Sequence, residues 1–223
     1  MIVITMSRQL GSGSAEVANR LCTELGLVAF DKRLMQRVAT EVGLSDEEII
    51  DYSEETYKAR SFLERLFSRD RQVGEVSTWT GGREGAYERE VSTMDEKQAI
   101  ALTRTAIRAA HKRGNVLIIG RGSQIILESE PNVIHLSLVA PFEARVEYLH
   151  AQQNMSPAEA RRYIQAQDRA TADYMQQFYN ADVDDPTLYH MVLNVPKLGI
   201  EGSVSLIKAM TEMVTMDQQV TEP

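Results

Sequence analysis

Five short apolar runs constrain this chain more than any other feature. They are Ile2 to Met6, Leu27 to Phe30, Asn115 to Ile119, Val133 to Val139 and Met191 to Val195. Each is apolar almost throughout rather than alternating, the pattern of a strand covered on both faces. Stretches with helical periodicity separate them, so the pattern predicts an α/β fold with a parallel sheet between helical layers. The 223 residues, 43% of them hydrophobic, suffice for one sizeable core with room for an inserted lobe.

Helix boundaries are written locally. Ser45-Asp46-Glu47-Glu48 and Ser156-Pro157-Ala158-Glu159 are capping boxes, the second reinforced by proline at the first helical position. Gly26, Gly43 and Gly114 stand where helices stop. Met94 to Arg113 reads as one long amphipathic helix, and Glu201 to about Met216 as the last. Between Ser61 and Thr93 the pattern weakens. Phe62, Leu63, Leu66 and Phe67 predict a short amphipathic helix, and Thr78 to Gly85 a glycine-rich mobile loop, together an inserted lobe. The apolar side chains of that helix leave a homodimer open.

A net charge of −8 argues against a nonspecific nucleic-acid binder. A single cysteine, Cys22, builds no internal disulfide framework and fits a reducing compartment. No apolar run reaches the roughly 18 residues of a membrane span, and no basic segment leads into a cleavable apolar one. The expectation is a cytoplasmic protein without membrane partners. His111, His135, His150 and His190 form no zinc-type spacing, so no metal site is expected from side chains. Ser12 and Ser14 lack the surroundings of a hydrolase nucleophile.

The chemistry concentrates at the first strand. Ile4 to Leu21 runs as strand, glycine turn and helix. Such a turn offers backbone N–H groups and the positive end of a helix dipole to a phosphate. Gly11-Ser12-Gly13-Ser14 is therefore the candidate donor-phosphate loop. The lysine expected at its end is Ser14, which brings no charge. Arg8 either replaces that charge with its planar fork or pairs with a carboxylate to close the loop.

These residues resemble the cytidylate kinase-like branch of the nucleoside-monophosphate kinases. That family follows its first strand with G-P-S-G-A-G-K-G-T; here Arg8 to Glu16 stands in its place, with both central glycines kept. The resemblance continues in order along the chain. Asp31 and Arg37 keep the family's spacing after the second strand, and Arg33 lies four residues before Arg37 on one helical face. Gly120-Arg121 matches the family's G-R-D, with Gly122 replacing the aspartate. Gln165 to Val195 matches the lid and closing strand, with Arg162 and Arg169 as lid arginines on a shared face and Arg161 pointing elsewhere.

The resemblance implies a three-layer P-loop kinase fold around a five-stranded parallel sheet. It is a single domain over 1–223, with an acceptor-side lobe at about 61–93 and a lid at about 154–180. It implies phosphoryl transfer from ATP with Mg2+ to a nucleoside monophosphate such as CMP, or to a similar small acceptor. Arg8, Arg162 and Arg169 would then serve transfer, and Asp31, Arg33, Arg37 and Arg121 would hold the acceptor. The alternative is a protein of this fold without the chemistry, sensing a nucleotide or another phosphorylated ligand.

Overall fold

In this computed structural model the described residues are 1–30, 72–81 and 87–221. Five strands form one parallel sheet: β1 (Val3–Arg8), β2 (Val28–Phe30), β5 (Val116–Ile119), β6 (Val133–Val139) and β7 (Met191–Asn194), in the order β2-β5-β1-β6-β7. All five apolar runs became strands, and β1 lies centrally between β5 and β6. The expected parallel sheet flanked by helices is the observed architecture.

Each face of the sheet has its own core. On one side α1 (Ser14–Leu25) and α6 (Val195–Thr221, broken at Gly199) bury Val17, Leu21, Val204 and Ile207 against Ile4, Met6, Leu136 and Leu138. On the other, α2 (Glu96–Arg113) buries Ala106, Ile107 and Ala110 against Val3, Val116, Ile118 and Val133. Successive strand residues alternate between these layers, as a pleated backbone requires. The one-turn α3 (Ser123–Ile126) follows β5. An antiparallel helix pair, α4 (Phe142–Gln153) and α5 (Pro157–Tyr179), packs through Val146, Leu149, Ala160 and Ile164.

The local signals at Gly26 and Ser156 hold. Gly26 caps α1 at φ 64°, and Ser156 with Glu159 forms the reciprocal capping box that opens α5. The box at Ser45, the stop at Gly43 and the short helix at 62–67 lie outside the described residues. The reading of a loop near residue 80 is corrected. β3 (Gln72–Gly81) and β4 (Tyr87–Asp95) form an antiparallel pair, with Thr78 opposite Glu90 and Trp79 opposite Arg89. Val73, Val76, Thr78, Trp79 and Thr80 are residue types that favour extended backbone. Gly81, Gly82 and Gly85 favour turns and so weaken the strand signal of this stretch.

Candidate functional site

The C-terminal end of β1 carries the site. Gly11 (φ 81°) and Gly13 (φ 82°) both take left-handed backbone, which turns the chain from strand to helix within a few residues. Gly13 is the N-cap of α1 and Ser14 its first residue. The first-turn N–H groups of Ser14 and Ala15 have no carbonyl within the helix to pair with and face the turn. Ser12 is 2% exposed, and its Oγ has no hydrogen-bond partner among the described residues. A buried hydroxyl without a partner, close in sequence to the unpaired N–H groups of a helix N-terminus, is a polar group that a ligand oxygen would satisfy. Ser14, at the lysine position, is equally buried and neutral.

Gly11 is required for a second reason. A Cβ there would lie 2.8 Å from the carbonyl oxygen of Arg145, so α4 packs directly onto the turn. The Arg145 side chain completes that contact. It is 3% exposed; its Nε donates to the Leu10 carbonyl at 2.7 Å, and its two terminal nitrogens donate to Asp168 of α5 at 2.9 and 2.6 Å. One arginine thus ties the glycine loop to both helices of the α4–α5 pair. Arg145 and Asp168 were not among the sequence candidates. The available signal was an arginine four residues before Leu149, on the apolar stripe of its own helix.

A cleft opens beside the loop. Ser7, Arg8 and Gln9 line it from β1 and its end, Ser137 from β6, Gln167, Asp168 and Thr171 from α5, and Val183 and Asp184 from the segment before β7. Arg8 thus lies at the cleft next to the turn. Beneath it the sheet face is polar: Thr5 Oγ1 and His135 Nδ1 are 2.7 Å apart, and the His135 backbone N–H donates to His190 Nδ1 at 3.0 Å. Burial, and then the neighbouring His190, push the His135 imidazole down to about 4. Burial also raises the Asp184 carboxyl, helped by the nearby charges of Asp182 and Asp168 and opposed by Arg145.

The other sequence candidates go elsewhere. Arg162 and Arg169 do share a helical face, but it is the exposed face of α5, opposite buried Ile164, Gln167 and Tyr174. Neither lines the cleft; α5 presents Gln167, Asp168 and Thr171 there instead. Arg161 pairs with Glu143 across the α4–α5 seam. Arg121 is 8% exposed and donates to the carbonyls of Phe30 and Ile119 at 3.4 and 3.3 Å, its guanidinium over the Phe30 ring. It joins the ends of β2 and β5 and does not line the cleft. Gly122 replaces an aspartate for a visible reason. A Cβ there would run into the Tyr179 ring, whose hydroxyl donates to the Arg121 carbonyl. Asp31, Arg33 and Arg37 lie outside the described residues.

Among the described residues no group of three or more His, Cys, Asp or Glu is arranged to hold a metal ion. None of the described helices is long and apolar enough to cross a membrane.

Known proteins agree with this architecture. The chain is 23% identical to a cytidylate kinase of Methanopyrus kandleri over 217 residues, covering 93% of this chain and 92% of that one. It is 24% identical to a cytidylate kinase of Pyrococcus horikoshii over 209 residues, covering 93% and 87%. Among solved structures, an uncharacterized protein from Eubacterium ventriosum superposes with a TM-score of 0.65 at 14% identity, over 95% of this chain and 99% of that one, a likeness of fold. The sequence profile of the cytidylate kinase-like family matches residues 3–197, and with the parallel sheet and its glycine turn this assigns the chain to the cytidylate kinase-like family.

Proposed function

We propose that the protein is a phosphotransferase that moves the terminal phosphoryl group of ATP to a small acceptor, the nucleoside monophosphates being the first class to test. The observation that carries this reading is the turn at Gly11–Ser14. Its left-handed glycines, its buried Ser12 hydroxyl and the helix terminus behind it fit a phosphate chain. These residues would hold the donor, and magnesium would arrive with the triphosphate and screen its charge. Transfer of this kind is mostly positioning and charge neutralisation. With Ser14 at the lysine position, Arg8 at the cleft is the cation we assign to the transferring group.

The neutral, buried Ser14 also favours a second reading, a nucleotide-binding protein without turnover. One experiment separates them: transfer from ATP-magnesium to a panel of nucleoside monophosphates, CMP and dCMP included, with an Arg8→Ala control. The enzyme reading expects turnover that falls about 10²–10³-fold in the control, equivalent to about 3–4 kcal/mol of lost charge stabilisation. The binding reading expects ATP affinity with no transfer in either protein.

A further inference from the structure

On its α5 side the cleft beside the glycine turn presents Gln167, Asp168 and Thr171, and the segment before β7 adds Asp184. Gln167 is 7% exposed, lines the cleft, and its buried Oε1 has no hydrogen-bond donor among the described residues. Asp168 and Asp184 line the same cleft, and an ionised carboxylate only accepts. Asp168 already engages Arg145 with both oxygens. Burial first, and then the charges of Asp182 and Asp168, make ionisation of Asp184 harder, with Arg145 opposing them. Arg121, the arginine expected to grip an acceptor phosphate, does not line this cleft and donates to the carbonyls of Phe30 and Ile119.

Two acceptor chemistries behave oppositely in such a cleft. A phosphate monoester carries between one and two negative charges and offers mainly oxygen acceptors. Arg8 lines the same cleft but is the cation assigned to the transferring phosphoryl group, and Arg145 already neutralises Asp168. A phosphate monoester then meets the Asp184 carboxylate as like charge and supplies no proton to the unfilled Gln167 acceptor. An alcohol is neutral and donates a hydrogen bond to either oxygen type. It must also lose its proton as it attacks, and a carboxylate that shares the cleft with Arg8, Gln9 and Leu10, the residues leading into the glycine turn, can receive it. A phosphate oxygen needs no such base.

Resting on the phosphotransferase reading above, we propose that the acceptor's reacting group is an alcohol hydroxyl of an uncharged polyhydroxylated molecule, oriented by Gln167 and deprotonated by Asp184. The hydroxyl oxygen bonds to the γ-phosphorus. The bond from that phosphorus to the β,γ-bridging oxygen breaks, and its electron pair leaves on the nucleoside diphosphate. The hydroxyl proton passes to the Asp184 carboxylate and from there to solvent.

The test uses the full chain, ATP-magnesium and matched acceptors: nucleosides against their 5′-monophosphates, with pentoses, hexoses and polyols added. ADP release gives the rate, and phosphorus NMR separates a phosphate ester from a phosphoanhydride. The expected result is ester formation from uncharged acceptors, faster than any transfer to monophosphates. Asp184→Asn is expected to lower kcat at least about 100-fold, by loss of general-base catalysis, with ATP affinity within about twofold of the parent. Asp184→Glu should recover part of the rate. The acid limb of the kcat profile should vanish with Asp184→Asn; the charged groups facing that carboxylate are Arg8 from β1, Arg145 from α4, Asp168 from α5 and Asp182 on its own segment.

Anhydride formation from a monophosphate that outpaces ester formation overturns this inference and leaves the phosphotransferase reading standing. So does an Asp184→Asn protein with unchanged ester formation. Absence of transfer to either set by a protein that binds ATP overturns both. If Asp184→Asn does not fold, the acceptor preference of the parent protein decides the question alone.

Discussion

Replacing Arg145 with methionine keeps the aliphatic stem in its buried site and removes three charge-assisted hydrogen bonds. The Leu10 carbonyl loses its donor, and Asp168 loses both of its contacts. A hydrogen bond to a charged group contributes about 1.5–3 kcal/mol, and breaking a fully buried ion pair costs about 3–5 kcal/mol. The Asp168 side chain is 43% exposed, against 3% for Arg145, so water recovers much of the freed carboxylate. The net expectation is a loss of about 2–3 kcal/mol, or about 5–10 °C in Tm for a chain of this size. Urea unfolding of the parent, Arg145→Met, Asp168→Asn and the double variant measures it. The cycle should return a coupling of about 1–2 kcal/mol between the two positions. ATP affinity should fall as well, because the Leu10–Gly11 backbone rests on the same arginine. A change in stability below about 0.5 kcal/mol, or zero coupling, would refute the claim that this pair ties the loop to α5, since breaking such contacts cannot be that mild.

Two further outcomes follow from the geometry. Gly11→Ala places a Cβ 2.8 Å from the Arg145 carbonyl at φ 81°, and should cost about 2 kcal/mol or more together with most ATP affinity; wild-type affinity in isothermal titration would contradict the tight turn. His135 is held down to about 4, below the 6.5 of a free imidazole, so the unfolded chain binds the extra proton between those values. Stability is therefore complete above about pH 6.5 and falls as pH drops toward 4, by up to about 3 kcal/mol. His135→Gln should flatten that window in urea titrations, and an unchanged slope would assign the pH dependence to other groups.

The architecture was legible because it is a matter of pattern. Buried parallel strands must be apolar on both faces, so β1, β2, β5, β6 and β7 are marked residue by residue. The glycine turn and the capping box at Ser156 are equally local, since the atoms that need each other lie within a few residues. The β3–β4 hairpin was masked by its glycines, although its β-favouring residues were in plain view.

What tertiary structure decided is which charges face which. Arg121, Arg145, Arg162 and Arg169 are alike as sequence. One is spent on main-chain carbonyls, one is buried in an ion pair with Asp168, and two look outward from α5. Helical periodicity shows that Arg162 and Arg169 share a face, but only packing through Ile164 and Tyr174 determines that this face is the solvent side. The cleft's polar groups come from β1, β6, α5 and the segment before β7, which approach one another only in the folded sheet. By itself the sequence determined a parallel sheet with a glycine turn at the end of its central strand. The polarity of what that turn faces was decided by long-range packing, because a side chain's direction depends on which neighbour its element is pressed against.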